Sequence, residues 1–263
     1  MISGRVWPGF ARWFAHRAER RLASRFDRVR IAGLDRLRAA AQQGPVIAVA
    51  NHSAWWDGVL ALWLSRRVLD LDAHAMMDAD NLVRHPYFAR VGAFGFRRGS
   101  RRDGAAALRR AAELLCGPRR CVWIFPQGEE RPWHEPLTFL PGAARLCRLA
   151  PSAAVVPIAF GYSFGATEGP DAWIAIGSPL PRTTTAAIHD AVQAERERIL
   201  GGIEGREPFP VYLETVRGHG LATRVLAWIS RIGLDVDATA LPQEQRALAP
   251  DHAAGHGRSQ PSE

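Results

Sequence analysis

Five short apolar runs, each followed at once by a turn-forming or polar residue, constrain the fold of this chain more than any other feature. They are residues 45–50, 73–77, 121–125, 154–160 and 173–176. Runs this short and rich in Val, Ile and Ala are typical of buried strands. Stretches with a helical pattern lie between or after them, at residues 58–67, 104–115, 143–150 and 183–200. This alternation of strands and helices predicts an α/β fold.

Four segments carry more specific structural expectations. Residues 92–98 (GAFGFRR) are predicted to form a loop with alternating aromatic residues, and Asp103 to cap the helix that follows. Pro157 interrupts the run 154–160, which predicts an edge strand or a bulge at this position. Residues 211–232 are predicted to be mostly helical.

The two ends of the chain differ in character from its centre. Residues 1–35 are predicted to be an amphipathic helical segment, residues 36–240 the α/β domain, and residues 241–263, which lack an apolar period, a disordered tail. In the first segment, aromatic residues recur at helical spacing among arginines, at Trp7, Phe10, Trp13 and Phe14. Such a helix could lie in the headgroup region of a membrane, or it could dock on the protein's own core.

The chain is strongly basic, and arginine alone is responsible. The formal net charge is +8, and all 34 residues of the Lys and Arg class are Arg. A basic surface suits anionic lipids, phosphorylated substrates or nucleic acid. The sequence contains no nucleic-acid-binding motif, so nucleic acid is not expected as a partner. No apolar run is long enough to span a bilayer, and the N-terminus lacks the apolar core of a signal peptide, so a cytoplasmic location is expected.

The cysteines do not suggest a metal site. Cys116, Cys121 and Cys147 form no closely spaced pair, so zinc is not expected. An odd number of cysteines without a signal peptide predicts reduced thiols. We expect all three to be ordinary buried residues.

The segment 51–57 (NHSAWWD) places His52 and Asp57 directly after the apolar run 45–50. Loops beyond strand ends are where α/β proteins usually bind ligands. An imidazole takes a proton from a hydroxyl near neutral pH, and a carboxylate bonded to its other ring nitrogen fixes the tautomer. A separation of five positions across a turn permits that contact. The alternatives are a general-base pair, or a strand-end histidine followed by an unrelated helix-capping aspartate.

Two further polar segments follow along the chain. Residues 92–98 combine two glycines with Arg97 and Arg98, and arginine binds phosphate in a forked geometry. Residues 125–132 (FPQGEERP) place Gly128, whose backbone can approach an anion, before three charged side chains. Taken singly, each segment is also consistent with a solvated loop.

Together and in this order, these three segments and the apolar run around Pro157 resemble the PlsC-like family of lysophospholipid and glycerol-phosphate acyltransferases. That family has a His-x4-Asp motif, a Gly/Phe/Arg block, a Phe-Pro-Glu-Gly block and an apolar Val-Pro block. The resemblance covers residues 45–160 and includes residues 139–144 (FLPGAA), which are similar to the segment after the family's third block. It implies a mixed, mostly parallel sheet flanked by helices, and O-acyl transfer to a lipid hydroxyl.

The resemblance also implies roles for individual residues. His52 would be the general base on the acceptor hydroxyl, and Asp57 its orienting partner. The acceptor or its phosphate would bind at Arg98, Gln127, Gly128, Glu129 and Arg131. Acyl-CoA or acyl-carrier protein would be the co-substrate, with no bound cofactor and no metal. Membrane lipids would be partners of a protein that lies on the inner face of the cell membrane.

The third block departs from the family pattern. The family usually reads Phe-Pro-Glu-Gly-Thr-Arg, whereas here Gln127, Glu129 and Glu130 stand at the Glu, Thr and Arg positions and Arg131 is shifted by one. An acidic pair beside a phosphate would repel it. A lysophospholipid or a related lipid is the expected acceptor, and the departure favours a less charged one, such as a lysolipid with a different head group or a glycosylated lipid of the carotenoid-glycoside type. A non-catalytic lipid-binding protein of the same fold is a further alternative.

Two tryptophans, Trp55 and Trp56, lie beside the proposed base. They could pack against an acyl chain or a sugar ring of the acceptor. They could equally be plain core residues, as could Trp123 and Trp133 near the third block. The sequence leaves these readings open.

Overall fold

The computed structural model describes residues 2–3, 6–165 and 168–214, and a single twisted sheet of nine strands runs through them. The strands are β1 (Ile2–Ser3), β2 (Arg28–Ala32), β3 (Val46–Ala50), β4 (Asp72–Asp78), β5 (Ala93–Phe96), β6 (Arg120–Ile124), β7 (Ala154–Phe164), β8 (Pro170–Ile176) and β9 (Val211–Glu214). The helices are α1 (Pro8–Arg25), α2 (Leu34–Gln43), α3 (Trp56–Trp63), α4 (Ala79–Arg84), α5 (Tyr87–Arg90), α6 (Arg101–Leu114), α7 (Gly142–Leu149) and α8 (Thr185–Ile203). A π-helical turn, Leu64–Val68, extends α3.

The sheet is mixed and mostly parallel, with helices on both faces, as the family resemblance implies. Its strand order is β1-β5-β4-β6-β3-β7-β8-β2-β9. The pairs β5–β4, β4–β6, β6–β3, β3–β7 and β8–β2 are parallel. The pairs β1–β5, β7–β8 and β2–β9 are antiparallel. The parallel strands β3, β4 and β6 therefore end at the same edge of the sheet.

Strand β3 shows why the apolar runs are continuous rather than alternating. All five of its residues are buried. Val46, Ala48 and Ala50 pack with residues of α1, α2 and α3 on one face. Ile47 and Val49 pack with α6, α7 and α8 on the other face. A strand covered on both faces needs apolar side chains at every position.

The N-terminal helix α1 docks on the protein's own core, one of the two alternatives that the sequence left open. A stripe of buried residues faces inward, namely Ala11, Ala15, Ala18 and Leu22. Phe10 and Phe14 pack against the cluster formed by α4, α5 and β5. Trp7 and Trp13 remain exposed, at 52% and 56% of their surface. The prediction that residues 1–35 are helical is wrong at residues 28–32, which form strand β2.

Two predictions about residues 92–103 are wrong. The segment 92–98 is not only a loop, because its alternating residues form β5, which pairs in parallel with β4. The cap of α6 is Ser100, whose Oγ accepts a hydrogen bond from the Asp103 N–H at 3.1 Å. Asp103 instead lies in the first turn of α6 and pairs with Arg97 at 3.5 Å.

Pro157 lies in an interior strand, so the prediction of an edge strand or bulge is also wrong. β7 is flanked by β3 and β8. The carbonyl of Pro157 accepts from the Gly177 N–H, one residue beyond the end of β8. The nitrogen of a strand residue points to the same side as its carbonyl. The nitrogen of Pro157, which has no N–H to donate, therefore points toward the β8 side at a level just beyond the last residue of that strand.

Two further predictions need correction. Residues 211–214 form β9 rather than the start of a helix, and the remainder of the predicted helix 211–232 and the tail 241–263 lie outside the described residues. Cys116 is exposed, whereas Cys121 and Cys147 are buried as expected. Within the described ranges, no helix combines the length and apolarity that crossing a bilayer requires.

Candidate active site

A large cavity opens at the sheet edge where β3, β4 and β6 end. Its volume is about 1040 Å³, and its walls include residues of α3, α5, α6 and α7. Apolar side chains such as Leu62, Met77 and Leu108 form much of the lining, while charged residues stand at the rim. A long apolar ligand with a polar head would fit such a site.

His52 and Asp57 meet at this cavity. His52 follows β3 directly, and Asp57 lies in the first turn of α3. The Nδ1 atom of His52 is 2.9 Å from Oδ2 of Asp57. The imidazole is 22% exposed and lines the cavity, whereas the carboxylate is fully buried. The five-residue spacing works because the chain between the two residues forms a turn before the helix begins.

The buried carboxylate of Asp57 is held by several donors. Its Oδ2 atom also accepts the backbone N–H groups of Ser53 at 2.6 Å and Ala54 at 2.9 Å. Its Oδ1 atom accepts the hydroxyl of Tyr162 at 2.5 Å. Hydrogen bonds from neutral donors to a charged acceptor offset the cost of burying a carboxylate. The arrangement fixes the Asp57 side chain in one orientation toward His52.

Tyr162 is a site residue that the sequence analysis missed. It lies on β7, and its ring stacks on Phe26 with 5.8 Å between ring centroids. Burial, and secondarily the charge of Asp57, raise the pKa of Tyr162 well above its ordinary value. The phenol therefore stays protonated and donates to the carboxylate. The one signal in the sequence is that Tyr162 and its neighbour Ser163 bear hydroxyls on a strand that is otherwise apolar.

The third block holds the backbone of His52 from two sides. The His52 N–H donates to Oε1 of Gln127 at 2.6 Å, and the His52 carbonyl accepts the Arg131 N–H at 2.9 Å. The imidazole also lies against the ring of Phe125, with 4.6 Å between centroids. Gln127, a predicted acceptor-binding residue, is thus a buried support for the loop of His52.

A second contact that the sequence did not indicate anchors the same loop. The side chain of Asn51 donates from Nδ2 to the carbonyl of Phe160 and accepts the Phe160 N–H at Oδ1, at 3.0 and 2.8 Å. This pair of bonds continues the β3–β7 pairing by one residue beyond Ala50. The position of His52 is therefore set by the sheet itself.

The free side of the imidazole faces an acidic residue. The Nε2 atom of His52 is 3.7 Å from Oε1 of Glu130, which is half exposed. Glu130 stands where the resemblance places an arginine. A phosphate bound beside Nε2 would meet this carboxylate at close range.

The predicted phosphate-binding arginines are already paired with carboxylates. Arg98 donates from Nε to Asp78, and its Nη1 atom is 3.3 Å from Glu129. Arg131 is 2.5 Å from the same Glu129. The pKa of Arg98 is raised by its hydrogen bond to Asp78, which outweighs partial burial. Although burial raises the pKa of Asp78, the hydrogen bond from Arg98 lowers it overall.

Gly128 shapes the turn rather than presenting a free donor. Its N–H donates to the Phe125 carbonyl at 3.1 Å, which closes a turn after β6. Its φ of 75° lies in the left-handed region that favours glycine. A Cβ there would also approach Leu140 to 3.0 Å. Gly128 nevertheless lines the cavity, so the backbone of the third block is close to any bound acceptor.

The two tryptophans beside the base have different surroundings. Trp55 is 40% exposed and lines the cavity. Trp56 packs edge-on against Phe26, with 5.0 Å between ring centroids, and belongs to the core beneath α3. Arg21 of α1 stacks over both rings. Trp55 is thus placed to contact a ligand, and Trp56 is a core residue.

The site has the parts of a general-base centre. An imidazole with one nitrogen bonded to a fixed carboxylate and the other nitrogen open to a cavity can take a proton from a hydroxyl. Within the part of the chain that the structure describes, no group of three or more His, Cys, Asp and Glu side chains is placed to hold a metal ion.

Comparison with models of protein families gives a match. The model of the family described as Acyltransferase matches residues 28–161, about half of the chain. The matched range begins at β2 and ends in β7, so it contains His52, Asp57, Arg98 and the third block. No curated protein sequence matches this chain.

Proposed function

Because this chain belongs to the acyltransferase family, we propose that it moves a fatty acyl group from a thioester to a hydroxyl of a lipid-like acceptor. The donor would be acyl-CoA or acyl-carrier protein. The observation that carries the proposal is the contact between His52 and Asp57 at the mouth of a large apolar cavity. The apolar lining would hold hydrocarbon, and the polar rim would hold the reacting groups.

The proposed reaction needs one proton relay. Nε2 of His52 takes the proton of the acceptor hydroxyl as its oxygen attacks the thioester carbonyl carbon. The carbon–oxygen bond forms, and the tetrahedral intermediate expels the thiolate, which takes the proton back from the imidazolium. Asp57 accepts the Nδ1–H throughout and stabilises the positive ring. An ester and a free thiol are the products.

For the acceptor, we propose a head group without a phosphomonoester. Arg98 and Arg131 are occupied by Asp78 and Glu129, and Glu130 lies beside Nε2 of His52. A doubly charged phosphate would have to displace these pairs and approach a carboxylate. The hydroxyls of a sugar, in contrast, would donate hydrogen bonds to the same carboxylates. A glycosylated lipid therefore fits this rim better than a glycerol phosphate does.

For the donor, two arginines at the cavity rim provide an anion-binding position. Arg101 of α6 and Arg145 of α7 line the cavity and are exposed. Among the described residues, neither is paired with a carboxylate. Phosphate groups of CoA or of a carrier protein's prosthetic arm are suited to such unpaired guanidinium groups.

We also propose that α1 places the protein on the cytoplasmic face of a membrane. Trp7 and Trp13 are exposed although large apolar side chains are usually covered. Arg17 lies one helical turn after Trp13 and is exposed as well. Exposed tryptophans beside arginines suit the boundary between acyl chains and anionic head groups.

Thiol release from acyl-CoA and from acyl-carrier protein, in the presence of glycolipid or lysophospholipid vesicles, tests the proposed function. We expect His52→Ala to lower the rate roughly 10²- to 10⁴-fold, the usual contribution of a general base. The matched control is His189→Ala, which removes the histidine of a surface pair with Asp190 at 2.9 Å. Equal rates for wild type and His52→Ala would exclude the mechanism, and binding of lipid without turnover would identify a non-catalytic lipid-binding protein.

A further inference from the structure

The hydroxyl of Tyr162 reaches the reaction site through Asp57. It donates to Oδ1 at 2.5 Å, while Oδ2 of the same carboxylate lies 2.9 Å from Nδ1 of His52. The three side chains form one continuous series of hydrogen bonds from the interior of the sheet to the cavity. Tyr162 itself does not line the cavity.

We infer that Tyr162 is a positioning residue of the acyl transfer, which holds the Asp57 carboxylate in the orientation that faces His52. The inference rests on the proposed function, because it takes His52 as the general base and explains how that base is oriented. Tyr162 comes from β7, which is separated from Asp57 by 105 residues in sequence. The contact therefore joins the first turn of α3 to the strand that neighbours β3.

The burial of Asp57 makes this donor important. The carboxylate is fully buried, and an ionised oxygen without a donor in such a place is strongly disfavoured. Oδ2 has three partners, His52, Ser53 and Ala54. Oδ1 is satisfied from the other side by Tyr162. Without that hydroxyl, Oδ1 would lose its donor, and the Asp57 side chain would be free to turn and would hold the imidazole less well.

Packing fixes the hydroxyl in place. The Tyr162 ring stacks on Phe26, which in turn contacts Trp56 edge-on. Tyr162 also pairs with Ala172 in the β7–β8 ladder. Because ring and backbone are both held by neighbours, the removal of one oxygen leaves these contacts intact. The variant Tyr162→Phe is therefore a narrow test of the hydrogen bond.

We expect Tyr162→Phe to lower kcat roughly 10- to 100-fold, the range for losing a hydrogen bond to a charged group, with little change in KM. The acidic limb of the pH profile should move to higher pH, by roughly one unit. A carboxylate without its donor is protonated more easily, and one that stays ionised attracts a proton onto His52 more strongly. The titratable or charged groups that face the His52–Asp57 pair are Tyr162 and Glu130. Arg21 lies farther out, over the rings of Trp55 and Trp56.

A positioning residue lowers kcat only through the group that it positions, here Asp57, and a double-mutant cycle tests this. We expect Tyr162→Phe to lower kcat strongly in the wild type but hardly at all in an Asp57→Asn background. The control Tyr212→Phe, an exposed tyrosine that packs on Trp63, should leave both kcat and the pH profile unchanged. Equal losses in the two backgrounds would assign Tyr162 to folding alone and overturn the inference.

A second probe leaves the chain's shape unaltered. The protein has three tyrosines, so fluorotyrosine incorporated into a Tyr87→Phe, Tyr212→Phe double variant reports on Tyr162 alone. A fluorinated phenol is a stronger donor, and the acidic limb should then move to lower pH. An unmoved limb, in an enzyme that turns over normally and loses its activity with His52→Ala, would disprove the role of Tyr162 while leaving the proposed function standing.

Discussion

Oε1 of Gln127 lies 2.6 Å from the backbone nitrogen of His52 and accepts its N–H. Gln127 is only 8% exposed, and its side chain joins the turn after β6 to the loop after β3. A glutamate at this position, which the family resemblance leads one to expect, would offer the same acceptor oxygen with a charge. The role of the side chain is thus to hold the backbone of the base, for which an amide suffices.

This relationship predicts opposite outcomes for two substitutions of similar size. Gln127→Leu would leave the His52 N–H without an acceptor, which costs about 1–3 kcal/mol in the free energy of unfolding. We expect a roughly tenfold lower kcat as the imidazole loses its fixed position. Gln127→Glu keeps the acceptor and should retain most of the activity. Urea unfolding and thiol release measure the two effects, and a Gln127→Leu protein as stable and active as wild type would show that the contact is dispensable.

Glu130 gives a prediction about acceptor choice. Its carboxylate is 3.7 Å from Nε2 of His52, at the position of the family's arginine. Glu130→Arg should raise kcat/KM for a lysophosphatidic acid acceptor by at least roughly tenfold and lower it for a glycolipid, since the change turns repulsion of a phosphate into attraction.

The matched control makes the same charge change away from the cavity. Glu113 on α6 is exposed and pairs with Arg110 at 3.0 Å. Glu113→Arg should leave the ratio of the two acceptor rates unaltered. A similar ratio in the Glu130 and Glu113 variants would mean that overall charge, rather than the rim beside His52, selects the acceptor.

The exposed tryptophans at the start of α1, Trp7 just before the helix and Trp13 within it, predict the effect of substitution on membrane binding. Removing residues 1–30 would also remove the buried stripe of α1 and most of β2, so point variants are the sharper test. Replacing Trp7 and Trp13 together by Ala should lower the partition onto anionic vesicles roughly tenfold or more, because each indole loses its apolar contact with the bilayer. Co-sedimentation with the vesicles measures this partition. Trp133→Ala is unsuitable as a control, because the Trp133 ring packs against Gly161. Undiminished sedimentation of the double variant would place the membrane contact elsewhere.

The parts of the fold that the sequence predicted are those whose signal is local. The apolar runs of β3, β6 and β7 are buried on both faces, so their composition alone identifies them. Strand β2 was missed because residues 1–35 were taken together as one helical segment, although Arg28 and Arg30 alternate with buried residues as in a half-buried strand. The partner that stabilises Arg30, Asp171 at 3.1 Å, lies 141 residues away and is not apparent from the local sequence.

The candidate site divides in the same way. His52 and Asp57 share one loop, and their contact follows from a turn between strand and helix. The supports of that loop come from distant strands, since Asn51 bonds to Phe160 and Asp57 to Tyr162 across more than a hundred positions. The ion pairs of Arg98 with Asp78 and Glu129 likewise depend on three segments meeting at one rim. The spacing of residues within one segment does not predict which distant segments it will contact in the fold.

Cys121 gives a prediction about stability at alkaline pH. It is 1% exposed in β6, and burial raises the pKa of its thiol from 9.0 to about 12. The folded state therefore keeps the proton while the unfolded chain loses it, so this contribution is intact below pH 9.0 and declines as the pH rises toward 12. In that window the free energy of unfolding should fall by about 1.4 kcal/mol per pH unit from this group.

The variant Cys121→Ala lacks the thiol, whereas every other ionisable group is the same in the two proteins. The stability difference between wild type and Cys121→Ala, measured by urea unfolding at about pH 8, 10 and 11, should thus shrink as the pH rises. A difference that stays constant over this range would show that the Cys121 thiol ionises as readily in the folded protein as in the unfolded chain.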